Sequence, residues 1–236
     1  MKILGIDGSG LVASVAVVED DNLVGEYTTG YKKTHSQTLL PMLDELSKMI
    51  ELDLNQIDAI AVAAGPGSFT GLRIASATAK GIGLSLGLPI VSVPTVDAIA
   101  FNMWGNSGII CPIMDARRGQ VYTGLYSFAE DGSFKVERPQ CAVDFHEIAA
   151  DINERGKAVT FLGDGVPVFK DLIAELITVP YRFAPAHLNR QHASSVASLG
   201  MIYYKNGECD TAAEHRPEYL RLSQAERERL EKEGKA

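Results

Sequence analysis

With 236 residues, 46% of them hydrophobic and 22% charged, the chain can build one large domain or two lobes, and its composition fits neither a disordered nor a membrane protein. A net charge of -8 argues against nucleic-acid binding through the overall field of the protein. The three cysteines, Cys111, Cys141 and Cys209, are widely spaced with no Cys-x-x-Cys pair, so they read as core or neutral surface thiols, not as a disulfide framework. Residues 1–7 lack the length and cleavage site of a signal peptide, and the longest weakly polar run, 74–101, carries Lys80 and Asp97; a cytoplasmic protein without a membrane span is expected.

Residues 2–7 are an apolar run ending in Asp7, and Gly8-Ser9-Gly10 turns it into residues 12–18: a hairpin with Asp7 at its tip. A turn at 19–22 leads to a third strand over 23–28. From 36 to 50, Leu39, Leu43, Leu46 and Ile50 recur at three and four residues with Leu40, Met42 and Met49 beside them, which predicts a helix with a broad apolar face. Pro41 falls harmlessly in its first turn if Thr38 is the N-cap and requires a kink if the helix starts at Ser36.

Residues 57–63 read as a buried strand, followed by Gly65-Pro66-Gly67-Ser68-Phe69-Thr70-Gly71-Leu72-Arg73 and a helix over 74–86. The glycines permit positive φ, and Ser68 or Thr70 can cap the helix. The stretch reads either as a tight turn that lets a helix pack close to a sheet or as an anion cradle. No Lys follows Gly71, as a P-loop requires, and Thr70 stands where a dinucleotide fingerprint needs its last glycine. Within the helix, Ala75, Ala79 and Gly83 form a small-residue stripe that admits another helix, from this chain or a second one. A strand over 90–93 and a helix over 95–104, with Thr95 as cap, complete the first half.

The second half repeats the first. Residues 109–126 are again an apolar run, an acid (Asp115, corresponding to Asp7), a turn containing Arg117-Arg118 and an apolar run; then come a strand over 134–143, a helix over 145–155, a strand over 159–162, Gly163-Asp164-Gly165 and a helix over 168–177. A duplicated α/β unit follows, with lobes over 1–107 and 108–223. A helix over 194–205, an extended segment over 216–221 and a charged tail over 224–236, read as a solvated helix, close the chain. The basic pairs Lys32-Lys33 and Arg117-Arg118 each read first as solvated surface.

Few catalytic constellations survive inspection. The nearest histidines, His187 and His192, stand about 140° apart on a helix, so an i, i+4 metal pair is absent. Ser9 and Ser68 lie on glycine turns but not in Gly-x-Ser-x-Gly. Asp7 and Asp115 could approach a shared cleft as a magnesium or water-orienting pair, or each cap its own hairpin.

The string Ala64-Gly65-Pro66-Gly67-Ser68-Phe69-Thr70-Gly71-Leu72-Arg73-Ile74 resembles the TsaB (YeaZ) family. So do Ile3-Leu4-Gly5-Ile6-Asp7, His35-Ser36-Gln37, Leu39-Leu40-Pro41, Asp115-Ala116-Arg117-Arg118-Gly119-Gln120-Val121-Tyr122 and Pro217-Glu218-Tyr219-Leu220-Arg221. The resemblance implies an actin-like (sugar kinase, Hsp70) α/β fold of two duplicated lobes and a part in making threonylcarbamoyladenosine beside the tRNA anticodon. It further implies a non-catalytic, dimerising role. A TsaD-like paralogue would transfer the threonylcarbamoyl group from its adenylate to the adenosine N6, a TsaE-like ATPase would be the third partner, the chain alone would form a homodimer, and tRNA would be met through the complex. Family helix-to-helix contacts carry over to the first two helices, with Leu39, Met42, Leu43, Leu46, Ala75, Ala79 and Gly83 as the expected interface. Asp7-Gly8-Ser9-Gly10 keeps only part of an actin-like phosphate hairpin, so Asp7, Ser9, Gly65, Gly67 and Arg73 would form at most a vestigial site for weak ATP, ADP or magnesium. An actin-like ATPase or kinase, or a glycoprotease-type peptidase, using Asp7 and Asp115, is the alternative.

Overall fold

The computed structural model describes residues 1–31 and 34–221, so Lys32-Lys33 and the charged tail over 224–236 lie outside the described residues. The first unit consists of β1 (Lys2–Asp7), β2 (Ala13–Glu19), β3 (Asn22–Thr29), α1 (His35–Met49), β4 (Ala59–Gly65), α2 (Phe69–Leu86), β5 (Ile90–Pro94) and α3 (Thr95–Phe101). The second repeats it with β6 (Ile109–Asp115), β7 (Gln120–Phe128), β8 (Phe134–Asp144), α4 (Phe145–Arg155), β9 (Val159–Leu162), α5 (Val166–Leu176), β10 (Tyr181–Phe183) and α6 (Ala193–Lys205). Each unit forms a five-stranded sheet, β3-β2-β1-β4-β5 and β8-β7-β6-β9-β10. In both, the three meander strands pair antiparallel and the last two run parallel to the central strand. This is a duplicated α/β architecture, two units of the same strand order.

The duplication extends to hydrogen bonds. Asp7 ends β1 and its Oδ1 accepts the Ser9 N–H at 2.8 Å, while Asp115 ends β6 and its Oδ1 accepts the Arg117 N–H at 2.7 Å. Gly65 (φ +123°) ends β4 and Gly163 (φ +103°) follows β9, and a Cβ on either would lie about 2 Å from a backbone oxygen, at 2.1 Å from Glu218 O and 2.2 Å from Ile113 O. Only glycine serves there.

Helices α1 and α2 cover one face of the first sheet, and α4 and α5 cover the matching face of the second. The last helix of each unit crosses over. Val96, Ile99 and Ala100 of α3 pack with Ile110, Met114, Tyr126 and Leu162 of the second unit. Val196, Ala197, Leu199 and Met201 of α6 pack on Ile3, Ala59, Ala61 and Val91 of the first. The approach of α6 is backbone-close: a Cβ on Gly5 would lie 2.2 Å from Ala193 O, and one on Gly200 2.5 Å from Ala61 Cβ. Asp97 of α3 braces the crossing, accepting from the Tyr126 hydroxyl at 2.7 Å and the Tyr203 hydroxyl at 3.3 Å. Burial pushes its carboxyl above the usual range.

Several boundaries differ from the sequence reading. Helix α1 starts at His35 behind Thr34, whose N–H donates to Gln37 Oε1 at 3.4 Å, so Thr38 is inside the helix and Pro41 is in its interior. Pro41 and Gln37 are both exposed, so the Gln37 carbonyl that loses its donor is left to water. Helix α2 begins at Phe69, five residues before position 74, because Ser68 is the cap: its Oγ accepts the Gly71 N–H at 3.3 Å. Pro94, not Thr95, precedes α3, which stops at Phe101; the Asn102 side chain beyond it donates to the carbonyls of Leu188 and Arg190. The three-residue strand β10 and a single 3-10 turn at Leu54–Gln56 are too short to leave a periodic signal. Among the described residues, no helix is long and apolar enough to cross a membrane.

Candidate functional site

Strand β1 carries Asp7 to its C-terminal end, where the Ser9 N–H and the Ser9 hydroxyl both donate to Asp7 Oδ1, at 2.8 and 2.6 Å. Asp7 and Ser9 are both fully buried. The glycine turn lies directly against this hairpin: the Ser68 N–H donates to Ser9 O at 2.6 Å, and Cβ atoms on Gly67 and Gly71 would fall 2.3 Å from Ser9 O and 2.0 Å from Gly8 O. Two of the stretch's glycines are thus required for backbone contact between hairpin and turn. On the other side Gln191, just ahead of α6, seals the tip, its Nε2 only 2.2 Å from where a Gly10 Cβ would be.

Asp7 Oδ2 and both amide atoms of Gln191 have no hydrogen-bond partner among the described residues. Burial pushes the Asp7 carboxyl up to about 6, although the Ser9 hydrogen bonds work the other way. The expected vestigial site divides: Asp7, Ser9, Gly65 and Gly67 gather at one closed turn, while Arg73 points elsewhere. Asp115 closes the matching hairpin of the second unit. It is exposed, and its surroundings are Arg117, Gly165 and Asp164, whose carboxyl is raised by burial and then by Asp115, against Arg190. Among the described residues no three His, Cys, Asp or Glu side chains cluster so as to hold a metal.

Residues 216–221 cross the glycine turn as a strap. The Glu218 N–H donates to Ala64 O at 2.7 Å, Tyr219 packs on Phe69 with ring centroids 4.8 Å apart, and Arg221 donates to Ala116 O of the second unit at 2.5 Å. Arg73 lies over the Phe69 ring at 3.9 Å and donates to the Tyr219 hydroxyl at 3.3 Å. Between strap and α2 is an open groove of about 470 Å³ lined by Arg73, Ser76, Ala77, Lys80, Arg216, Pro217 and Tyr219.

The seven residues expected at a helix interface, Leu39, Met42, Leu43, Leu46, Ala75, Ala79 and Gly83, are all buried in the chain's own core. That expectation is corrected: the small stripe serves α2 against the molecule's interior, with Gly83 pressed to Ala212. Other residues form the outer faces. Helix α1 exposes Leu40, Pro41 and Met49, and α2 exposes Arg73, Ala77, Gly81 and Leu84. A Cβ on Gly81 would meet nothing. Beside α1, Tyr27, Tyr31, Pro41 and Met42 line a second groove of about 400 Å³. Leu40 and Met49 were visible in the sequence as extra apolar residues beside the stripe; their outward direction was not. Gln191 and the strap left no local pattern that ties them to a turn far away in the chain.

The chain matches a family model, "TsaD: tRNA N6-adenosine threonylcarbamoyltransferase", over residues 23–229. It is 34% identical over 98% of its length, and 99% of the relative's, to the tRNA threonylcarbamoyladenosine biosynthesis protein TsaB of Bacillus subtilis. The chain belongs to the TsaB family. The TsaB of Escherichia coli is 32% identical over 73% of this chain and 75% of the relative. YeaZ from Pseudomonas aeruginosa superposes with a TM-score of 0.79 at 25% identity, covering 93% of this chain and 99% of that one. As a TsaB-family protein, the chain belongs with proteins of tRNA threonylcarbamoyladenosine biosynthesis.

Proposed function

We propose that this TsaB-family chain is a non-catalytic dimerisation subunit. It supports transfer of a threonylcarbamoyl group from threonylcarbamoyl-AMP to the N6 of the tRNA adenosine next to the anticodon. A TsaD-like paralogue would be its catalytic partner and a TsaE-like ATPase the third component; alone, it would pair with a second copy of itself. The observation that carries this reading is the outer surface of α1 and α2. Leu40 is 56% exposed, Met49 70% and Leu84 63%, beside the smooth Ala77 and Gly81 surface, in helices whose inner faces are already filled. Exposed large apolar side chains on two adjacent helices, at the edges of an α1 surface that also carries Asp44, Glu45 and Lys48, favour a docked partner. Co-purification with the TsaD-like paralogue tests it: Leu40→Arg with Met49→Arg should reduce capture at least tenfold while circular dichroism stays unchanged, and undiminished capture contradicts this surface.

The closed hairpin supports a second proposal, that the chain alone does not hold a nucleotide at Asp7. Asp7 and Ser9 are fully buried, and the glycine turn packs on the hairpin backbone with its Ser68 N–H already given to Ser9 O, which leaves little of an open cradle for a phosphate. Titration calorimetry with magnesium and ATP at millimolar concentration should give no binding heat. Saturable heat that Asp7→Asn abolishes would restore the enzyme alternative.

A further inference from the structure

The strap gathers cations that the acidic chain leaves unpaired. Lys80 donates to the carbonyls of Ala213 and His215 at 3.0 and 2.9 Å, which fixes it at one end of the groove beside Arg216. Arg73 stands over Phe69 and against Tyr219, and Arg221 ties the strap to Ala116. Next to Ala116, Arg117 and Arg118 form the exposed tip of the β6–β7 hairpin. The contacts therefore run without a break from Lys80 to Arg118. Among the described residues, none of these six cations has a carboxylate within 4.0 Å. Carboxylates along the band are engaged otherwise: Glu214 accepts from the Thr211 hydroxyl, Asp115 accepts the Arg117 N–H and Glu218 accepts from the Gln140 side chain. The tip is held at a conformational cost, since Arg117 (φ 65°) and Arg118 (φ 58°) are both left-handed without being glycine. Such backbone persists where surrounding structure holds it, and here it presents two unpaired guanidinium groups.

We infer that this band, from Lys80 and Arg73 along the strap to Arg118, contacts the phosphodiester backbone of RNA. This rests on the tRNA-modification reading and deepens it by giving the chain its own contact with the substrate. The net charge of -8 rules the whole field out as the source of attraction, so binding has to be local, and a row of cations spaced over two units suits an extended polyanion better than one phosphate. The Tyr219 ring, 40% exposed at the centre of the band, adds a face on which an unpaired base can stack.

The test is fluorescence anisotropy with an unmodified tRNA transcript carrying adenosine next to its anticodon, in a salt series. It is run on the full chain alone and on its mixture with the TsaD-like paralogue. Arg73→Gln with Arg216→Gln should weaken binding about tenfold or more at low salt and lower the slope of log affinity against log salt by about two; Arg118→Gln should lower it by about one. Lys157→Gln, an exposed cation elsewhere on the second unit, is the control. Arg118 lies on an exposed tip, so its variant answers the question even if the double variant melts early. Affinity and slope equal to the control in both variants overturn the inference, as does absence of tRNA binding in either state. ADP binding that the double variant abolishes while tRNA affinity stays unchanged would mark a nucleotide groove and also overturn it. Light scattering on the same mixtures separates the two readings: failure to form the complex counts against the subunit role, whereas a normal complex with unaltered tRNA binding counts against the band alone.

Discussion

Asp7 is a buried carboxylate with one oxygen bonded twice by Ser9 and the other unpartnered among the described residues. Its carboxyl is raised by burial from 3.8 to about 6, so between those values the folded chain binds more protons than the unfolded one. The stability it contributes is present below pH 3.8 and is lost as pH rises through about 6. Asp7→Asn should therefore stabilise the protein at neutral pH, by up to about 3 kcal/mol. The difference in unfolding free energy between variant and parent, followed by urea titration from pH 4 to 8, should grow over that window; a flat difference contradicts it. The position of Asp7 at the end of an apolar strand was legible from seven residues of sequence. That it is fully buried was not, because the groups that pack on its hairpin, the glycine turn and Gln191, come from elsewhere in the chain, and a distant contact leaves no periodic trace.

At the scale of elements, α1 and α2 were legible as amphipathic helices because leucine and alanine recur at helical spacing, but which apolar residues face inward was not. An apolar face too wide for one contact contains both the core stripe and the exposed one, and only the position of the sheet separates them. Two substitutions on the same helix pair distinguish the faces. Ala79→Arg forces a cation into a site with no exposure and should cost more than about 3 kcal/mol, read as a large fall in Tm. Leu40→Arg should leave Tm within a few degrees. Helix α6 offers a pH-dependent counterpart. Glu26 on β3 accepts from Ser194 N–H at 3.1 Å and faces His192 Nδ1 at 3.3 Å. The hydrogen bond to Glu26 raises the His192 pKa above 6.5, so this anchor is complete below pH 6.5 and weakens as pH rises through the raised value. Burial opposes the Glu26 charge, yet the His192 and Ser194 bonds hold its carboxyl low. Glu26→Gln should cost about 1 to 3 kcal/mol and speed amide exchange at the first turn of α6; exchange unchanged from the parent would show that the anchor carries no stability.

At the scale of the molecule, two units of the same strand order exchange their last helices, α3 toward the second sheet and α6 onto the first. The repeat was legible because Asp7 and Asp115 follow similar apolar runs; the exchange was not, since a helix's sequence does not say which sheet it covers. A fragment of residues 1–107 lacks α6 and uncovers Ile3, Ala59, Ala61 and Val91, so it should aggregate or remain partly unfolded relative to the full chain, by circular dichroism and light scattering. The exposed Leu40, Met49 and Leu84 of α1 and α2 carry the proposal that this molecule assembles with a partner. Light scattering on an equimolar mixture with the TsaD-like paralogue tests that claim most directly. One stable heterodimer, lost on Leu40→Arg with Met49→Arg, is the predicted result; two separate species with the parent chain, or an undisturbed heterodimer with the variant, would contradict it.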